Sequence, residues 1–351
     1  MAYETGVYND QFDLLEKIAI FLDSGGADGS WTVDSFIADT QIYPSGTGAS
    51  QKRLHIHKTA VDSTVMYFNL KSANAGQLWE YVYNIGPFSG IGLYGSTGYS
   101  GAGNWDKEPG FPQGSDSTKS AGVDIMVSSN GTYYFFSSDD TVVICVEYTS
   151  GKYQWLSFGQ IQKFGSFTGG QFFTGSSSSR SHQDVYSPGG SLYGSSSITA
   201  RPFYTSISGS STFPCTFIYL EADAINSWRA SYYRADYIVS TTKEEIITNV
   251  LHSAVLLGSW VIANSFLNQY IFARSPNEFN GVTPLSPIYF FTRRPDSKVS
   301  PLGYVDIVRQ VNIQYKSPGD EIVFGGDTWK ILPQHDQTGD TLVNVGFAIK
   351  K

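Results

Sequence analysis

Three small groups of residues carry side chains able to do chemistry. His55-Ile56-His57 is the sharpest of them. In an extended strand, residues two apart share a face, so both imidazoles would point the same way and could reach one metal ion. Such a site needs further ligands. No nearby Cys or Glu supplies one, Asp62 lies at the limit of reach, and His182 or His335 would have to arrive from another subunit. Two polar residues on the wet face of a strand account for the same pair, and no metal is expected here.

Asp139-Asp140, taken with Asp124 or Glu147, has the residue types for carboxylate acid–base work or Ca²⁺ binding. The acidic pair falls where a tight turn is expected, and Asp is favoured in turns for its own backbone hydrogen bonds. The oxygen-rich spacing of a dedicated calcium loop is absent. Trp105, between Asn104 and Asp106, has the types that stack and hydrogen-bond a sugar. A lone Trp in a long loop serves equally to anchor that loop. No G-x-S-x-G elbow, H-E-x-x-H pair, Walker A loop or strand–GxGxxG–helix unit occurs. Gly90-x-Gly92 and Gly101-x-Gly103 fall in expected loops rather than at a helix start. The sequence therefore predicts no enzyme and no cofactor, although paired carboxylates of a glycan hydrolase would be invisible at this level.

Composition points towards packing. Of 351 residues, 15% are charged and 15% aromatic, with 36 glycines. A surface this poor in charge suits a subunit interface, whose core loses charge and gains Tyr, Trp and Phe. A large all-β protein with many turns has the same profile. The formal net charge of −8 leaves no basic face for phosphates; only Arg293-Arg294 and Lys52-Arg53 come close, so no nucleic-acid partner is expected. Cys145 and Cys215 are the only cysteines, too few for a disulfide framework, and both are expected to be reduced. MAYETGVYND lacks a basic n-region and an apolar h-region, so export by a signal peptide is not expected. The stretch nearest to a membrane span, Leu251 to Phe266, is interrupted by His252, Ser253, Gly258, Ser259, Asn264 and Ser265, so no membrane partner is expected either.

The elements that must position these residues read as mainly β. Residues 1–10 look polar and turn-like, leaving Tyr3 and Tyr8 free for contacts. Asp10 can cap a following helix, with Asp13 in its first turn. Phe12, Leu15, Ala19 and Leu22 form its apolar stripe, and Gly25-Gly26 ends it. That stripe seals either the subunit's own body or a neighbour. Short strands follow over residues 30–100. Residues 86–122 read mostly as loop, carrying Tyr94, Tyr99 and Trp105. Gly122–Ser128, Thr132–Ser137, Thr141–Tyr148 and Lys152–Phe158 read as an antiparallel meander, with Asn130-Gly131, Asp139-Asp140 and Ser150-Gly151 between the runs.

Residues 174–213 are Ser/Gly-rich but punctuated by Tyr186, Tyr193 and Phe203, which suits an arm lying across a neighbour. Thr241 or Thr242 with Glu244 or Glu245 makes a capping box and predicts a second helix near 243–256. From Pro284 the chain reads as β again. The division expected is an arm and helix over 1–28, a first β-rich domain over 29–173, the Ser/Gly-rich loop or arm over 174–213, and a second β-rich region over 214–351. Sandwich or barrel-like antiparallel units with long Gly/Ser-rich loops are the expected fold.

One stretch has a profile of its own. Tyr153 to Gly175, YQWLSFGQIQKFGSFTGGQFFTG, begins as a strand and then breaks into aromatics separated by glycines. This stretch resembles a segment of structural proteins of tailed-bacteriophage virions, from the neck or collar, tail or baseplate. YSGAGNWDKEPG (Tyr99 to Gly110) is similar to a second such piece. The closing region is similar to a third, through PLGYVDIVRQVN, PGDEIVFGGDTWKILP and VGFAIKK. Together the three cover roughly a third of the chain. The resemblance implies a non-enzymatic virion part, assembled in the host cytoplasm into a symmetric ring or sleeve that docks on other virion proteins. It carries over packing positions and no functional residues. The candidate contact residues are Tyr3, Tyr8, Tyr94 and Tyr99, with Trp105, Tyr186, Tyr193 and Phe203. The competing reading is a receptor-binding or lectin-like module of a tail fibre or baseplate.

Overall fold

The runs TVVICVEYT and KYQWLSFGQ are almost wholly buried. A strand with one wet face would alternate, so both faces of these two must be covered. The computed structural model shows three antiparallel sheets that do this. It describes residues 1–39, 51–76, 88–101, 105, 107–111, 123–127, 129–175, 203, 216–222, 225–230, 245–248, 276, 279–293, 299–334 and 345–351.

In chain order, strand β1 (Ala2–Tyr8) leads into helix α1 (Gln11–Leu22), then β2 (Thr32–Asp39), β3 (Gln51–Thr59), β4 (Val65–Gly76) and β5 (Phe88–Ser96). Next come β6 (Val123–Met126), β7 (Gly131–Ser137), β8 (Thr141–Thr149), β9 (Lys152–Gln160), β10 (Gln162–Lys163) and β11 (Gly169–Gly175). The remainder comprises β12 (Thr216–Ala222), β13 (Ile225–Ala230), β14 (Glu245–Thr248), β15 (Ser286–Arg293) and β16 (Val299–Asn312), then β17 (Glu321–Phe324), β18 (Asp327–Pro333) and β19 (Val345–Lys350). The central sheet has the order β1-β7-β8-β9-β11-β12-β13. A helix-side sheet runs β2-β3-β4-β5-β6, and a C-terminal sheet runs β14-β15-β16-β19-β18-β17 with β10 paired to β16.

Period-two alternation sorts the central sheet's side chains into two cores. Phe135, Val142, Ile144, Leu156, Phe158 and Phe173 join α1 and the helix-side sheet. Their neighbours Phe136, Val143, Cys145, Trp155, Phe172 and Ile218 join the C-terminal sheet. Trp155 stands edge-on to Phe347, with ring centroids 5.3 Å apart. Its indole N–H donates to the carbonyls of Pro333 and Gln334 at 3.2 and 2.9 Å. Burial pushes the Cys145 thiol well above its usual pKa, and this cysteine is free.

Helix α1 forms as its sequence requires. The Asp10 carboxylate accepts from the backbone N–H groups of Phe12 and Asp13, satisfying two of the donors that every helix start leaves open. Leu15, Ala19 and Leu22 are buried with Leu14, Ile18 and Phe21, while Phe12 is half-buried and Ile20 exposed. The stripe thus seals the chain's own core.

Several expectations are corrected. Residues 2–8 are not turn-like: they pair along β7 from Ala2↔Ser137 to Tyr8↔Gly131. Phe88–Ser96, expected to be loop, is a strand between β4 and β6. Asn130-Gly131 does not close a hairpin, because β6 and β7 belong to different sheets. Gly131 is needed there for a different reason: a Cβ would run into the Glu147 carbonyl and the Tyr8 ring. The meander therefore has three members, β7 to β9. The helix expected near 243–256 is a strand over Glu245–Thr248, paired to Arg293–Phe290; edge pairing with β15 overrides the capping box, and Ile246, Ile247 and Thr248 are β-branched formers. The rest of that span lies outside the described residues. Strands β11 and β12, on either side of 174–213, are direct neighbours, so one sheet crosses the boundary placed there.

Because Trp155 joins two sheets by packing and by two hydrogen bonds, Trp155→Ala is expected to cost about 3–5 kcal/mol in urea unfolding. Trp155→Phe should lose less, since it keeps most of the ring packing.

Candidate functional site

His55 and His57 do share a face of β3, as their spacing requires, but each is committed elsewhere. His55 is 1% exposed. Its Nδ1 lies 2.5 Å from the Asn69 amide oxygen, and the Asn69 amide donates to Ser96 Oγ at 2.9 Å, which donates to the Gly98 carbonyl. That network assigns Nδ1–H as the donor. His57 Nδ1 instead meets the Asp34 carboxylate at 2.8 and 2.9 Å. Asp62, the acidic residue the sequence offered as a further ligand, is held by Lys163 at 2.7 Å. Among the described residues no group of three His, Cys, Asp or Glu lies close enough to hold a metal ion. His182 and His335 lie outside the described residues.

Four of the aromatic contact candidates are buried within this chain and are corrected accordingly. Tyr8, Tyr94, Trp105 and Phe203 are inaccessible. Trp105 and Phe111 pack on Tyr94 at 5.1 and 4.8 Å, so these two rings lie over the outer face of the helix-side sheet. Phe203 sits at 5.9 Å from Phe347 and 6.4 Å from Phe290. The cause is common to all four: a large ring gains more by burial against its own sheets than it would on a free surface. Tyr3 and Tyr99 are half-buried, Tyr99 against the His55 ring at 5.0 Å. Tyr186 and Tyr193 lie outside the described residues, as do Asn104 and Asp106 of the sugar reading. Asp139-Asp140 forms the β7–β8 turn, closed by Ser138 N–H to the Thr141 carbonyl at 2.8 Å. Asp140 is buried, accepts from Val61 N–H at 3.2 Å, and is pushed above the usual carboxylate range by burial.

The sequence did not point to the cleft that the fold creates. Its volume is about 360 Å³, and it lies between the β3–β4 turn, the end of β5 and strands β11 and β12. Asp62, Ser63, Thr64 and Thr97 form one wall, and Thr168, Gln171, Tyr219 and Glu221 form the other. Ser63 has a left-handed φ of 71°, uncommon for a residue with a side chain. The turn is held by Ala60 N–H to the Thr64 carbonyl at 2.7 Å. Opposite it, the pairing of β11 with β12 slips between Gly169 and Phe172, so Gly170 and Gln171 face the single residue Tyr219. This is a β-bulge, a device that re-aims side chains. Gly169 and Gly170 take φ of 107° and 95° to make it. A Cβ on Gly169 would strike the Tyr219 carbonyl.

Electrostatics in the cleft are one-sided. Burial works against ionisation of Asp62, but hydrogen bonds from Lys163 and Thr64 outweigh it and bring its pKa down to about 2. The Lys163 ammonium is used up by Asp62 and by the Phe167 carbonyl at 2.9 Å. The Tyr219 hydroxyl donates to Glu221 at 3.4 Å. The Gln171 amide oxygen is buried and has no hydrogen-bond partner among the described residues. No family model and no curated protein matches this chain.

The one usable sequence signal for the cleft was Gly169-Gly170 inside a strand pattern, which marks a bulge or a close backbone approach. Nothing local links it to Asp62 or Glu221.

Burial is also the main reason His55 takes a proton less readily than a free imidazole, with Asn69 and nearby acids opposing. The unfolded ring protonates near pH 6.5 and the folded one only at lower pH. Its contribution to stability is therefore complete above about 6.5 and lost as pH falls through the folded value. His55→Gln is expected to flatten the fall of Tm below pH 6.5, read by thermal melts from pH 8 to 4.

Proposed function

We propose that this chain is a non-enzymatic structural subunit of a tailed-bacteriophage particle, of the neck or collar, tail or baseplate. It self-associates into a symmetric ring or sleeve and docks on neighbouring virion proteins. The similarity of three segments to such proteins supports the reading, as does the low charge of the chain.

The observation that carries the assembly part is a pair of open strand edges lying side by side. Among the described residues β1 pairs only with β7, and β17 only with β18. The Tyr3 ring of β1 has Lys330 of β18 and Lys351 within 5.6 and 5.1 Å of its centroid. Lys351 also pairs with Glu321 of β17 at 2.8 Å. Both sheets therefore end on the same side of the stack. On these edges Val7 is 71% exposed, Val323 75% and Phe324 49%. Free backbone donors and acceptors beside exposed apolar side chains form a template for another chain. Closed rotational symmetry uses one such contact repeatedly.

Light scattering across a concentration series tests this. A discrete closed multimer is the expected result. Val323→Lys combined with Val7→Lys should shift the mass to monomer while leaving stability within about 0.5 kcal/mol, since both sites are exposed. A chain that stays monomeric at every concentration would overturn the self-assembly reading.

A further inference from the structure

We propose that the cleft between the β3–β4 turn and the β11 bulge is a binding site for a neutral saccharide, an activity separate from assembly. The site is built rather than incidental. Ser63 holds a left-handed backbone on one wall. On the other, a bulge at Gly170 and Gln171, opposite Tyr219, interrupts the pairing of β11 with β12. Backbone in such conformations persists where the surroundings enforce it, and it concentrates at ligand sites.

The chemistry of the walls selects the ligand class. The exposed carboxylates of Asp62 and Glu221 are acceptors that call for hydroxyl donors. Thr97 and Thr168 add hydroxyls that donate or accept as the ligand needs. A sugar ring carries hydroxyls all round its rim, so it can meet both walls at once. An anionic ligand is disfavoured, because Lys163, the ammonium beside the cleft among the described residues, is already held by Asp62 and the Phe167 carbonyl. A volume of about 360 Å³ lies at the small end of the roughly 300–1,000 Å³ of small-molecule sites, enough for one or two sugar units. The Tyr219 ring is buried and packs on Trp228 at 5.3 Å. Recognition therefore runs through hydrogen bonds more than through stacking.

The test is a panel of neutral mono- and oligosaccharides titrated into the full-length protein, read by isothermal calorimetry and by ligand-observed NMR. Saturable binding of one sugar class is expected. Thr168→Val and Glu221→Gln should each weaken it about tenfold, the equivalent of one lost hydrogen bond of good geometry. Thr97→Val is the milder variant that keeps the experiment decisive if a wall substitution unfolds the chain, with near-ultraviolet circular dichroism as the check on folding. No saturable binding by the wild-type protein would overturn the proposal. So would equal affinity in folded Glu221→Gln, or saturation by Ca²⁺ or a lysine-rich peptide in place of sugar. The oligomeric state measured on the same samples reports separately on assembly.

Discussion

Burial of the central sheet on both faces is the constraint on which the rest of the fold depends. Each large apolar side chain buried contributes about 1.5–3 kcal/mol, and β8 and β9 alternate such residues onto opposite sides. Neither face can be left wet, so two further layers are required. The first consists of α1 with the helix-side sheet, the second of the C-terminal sheet. The central sheet draws its strands from far apart in the sequence, from Ala2 to Ala230, with β1 pairing across to β7 and β12 to β11. The chain is thereby tied together by long-range pairing, whose loop-closure entropy makes folding slow compared with a helical protein of equal stability.

The same constraint explains which parts of the structure were legible in the sequence. The cap at Asp10, the stripe of Leu15, Ala19 and Leu22, and the hairpin at Gly151 are local, and local rules found them. β1 was missed because an edge strand needs few apolar residues: AYETGVY has only one fully buried side chain, Tyr8. Glu245–Thr248 was misread because a capping box is a weak local preference and strand pairing with β15 is not visible locally. Tyr94, Trp105 and Phe203 show the sharper limit. Aromatic residues among glycines announce that rings will be buried, but not whether the same chain or a neighbour will bury them. Low charge carries the same ambiguity, because a three-sheet stack has much interior and needs few charged residues.

Candidate-site chemistry was less legible than the fold. The His55 and His57 spacing correctly placed both rings on one face, yet Asn69 and Asp34 come from other strands and take the two rings apart chemically. Conversely, Asp62 is brought opposite Gln171 and Glu221 only by the packing of two sheets. Paired carboxylates across a fold have no sequence spacing to detect. What the sequence did carry was Gly169-Gly170, a backbone signal.

Open edges and cleft lie at different places on the central sheet. β1 is its first strand and β12 its sixth. At a strand spacing of about 4.8 Å the two are separated by roughly 24 Å. A neighbour paired along β1 and β17 would therefore add its backbone hydrogen bonds away from the β11 bulge. Cleft residues Asp62, Thr97 and Glu221 are exposed in the isolated chain, and edge-to-edge association gives no reason for that to change. The two proposed activities would place independent demands on the fold. The proposed assembly would use the regular hydrogen-bonding repeat of uninterrupted edge strands, whereas the proposed ligand would use the one place in the central sheet where β11 and β12 lose their register.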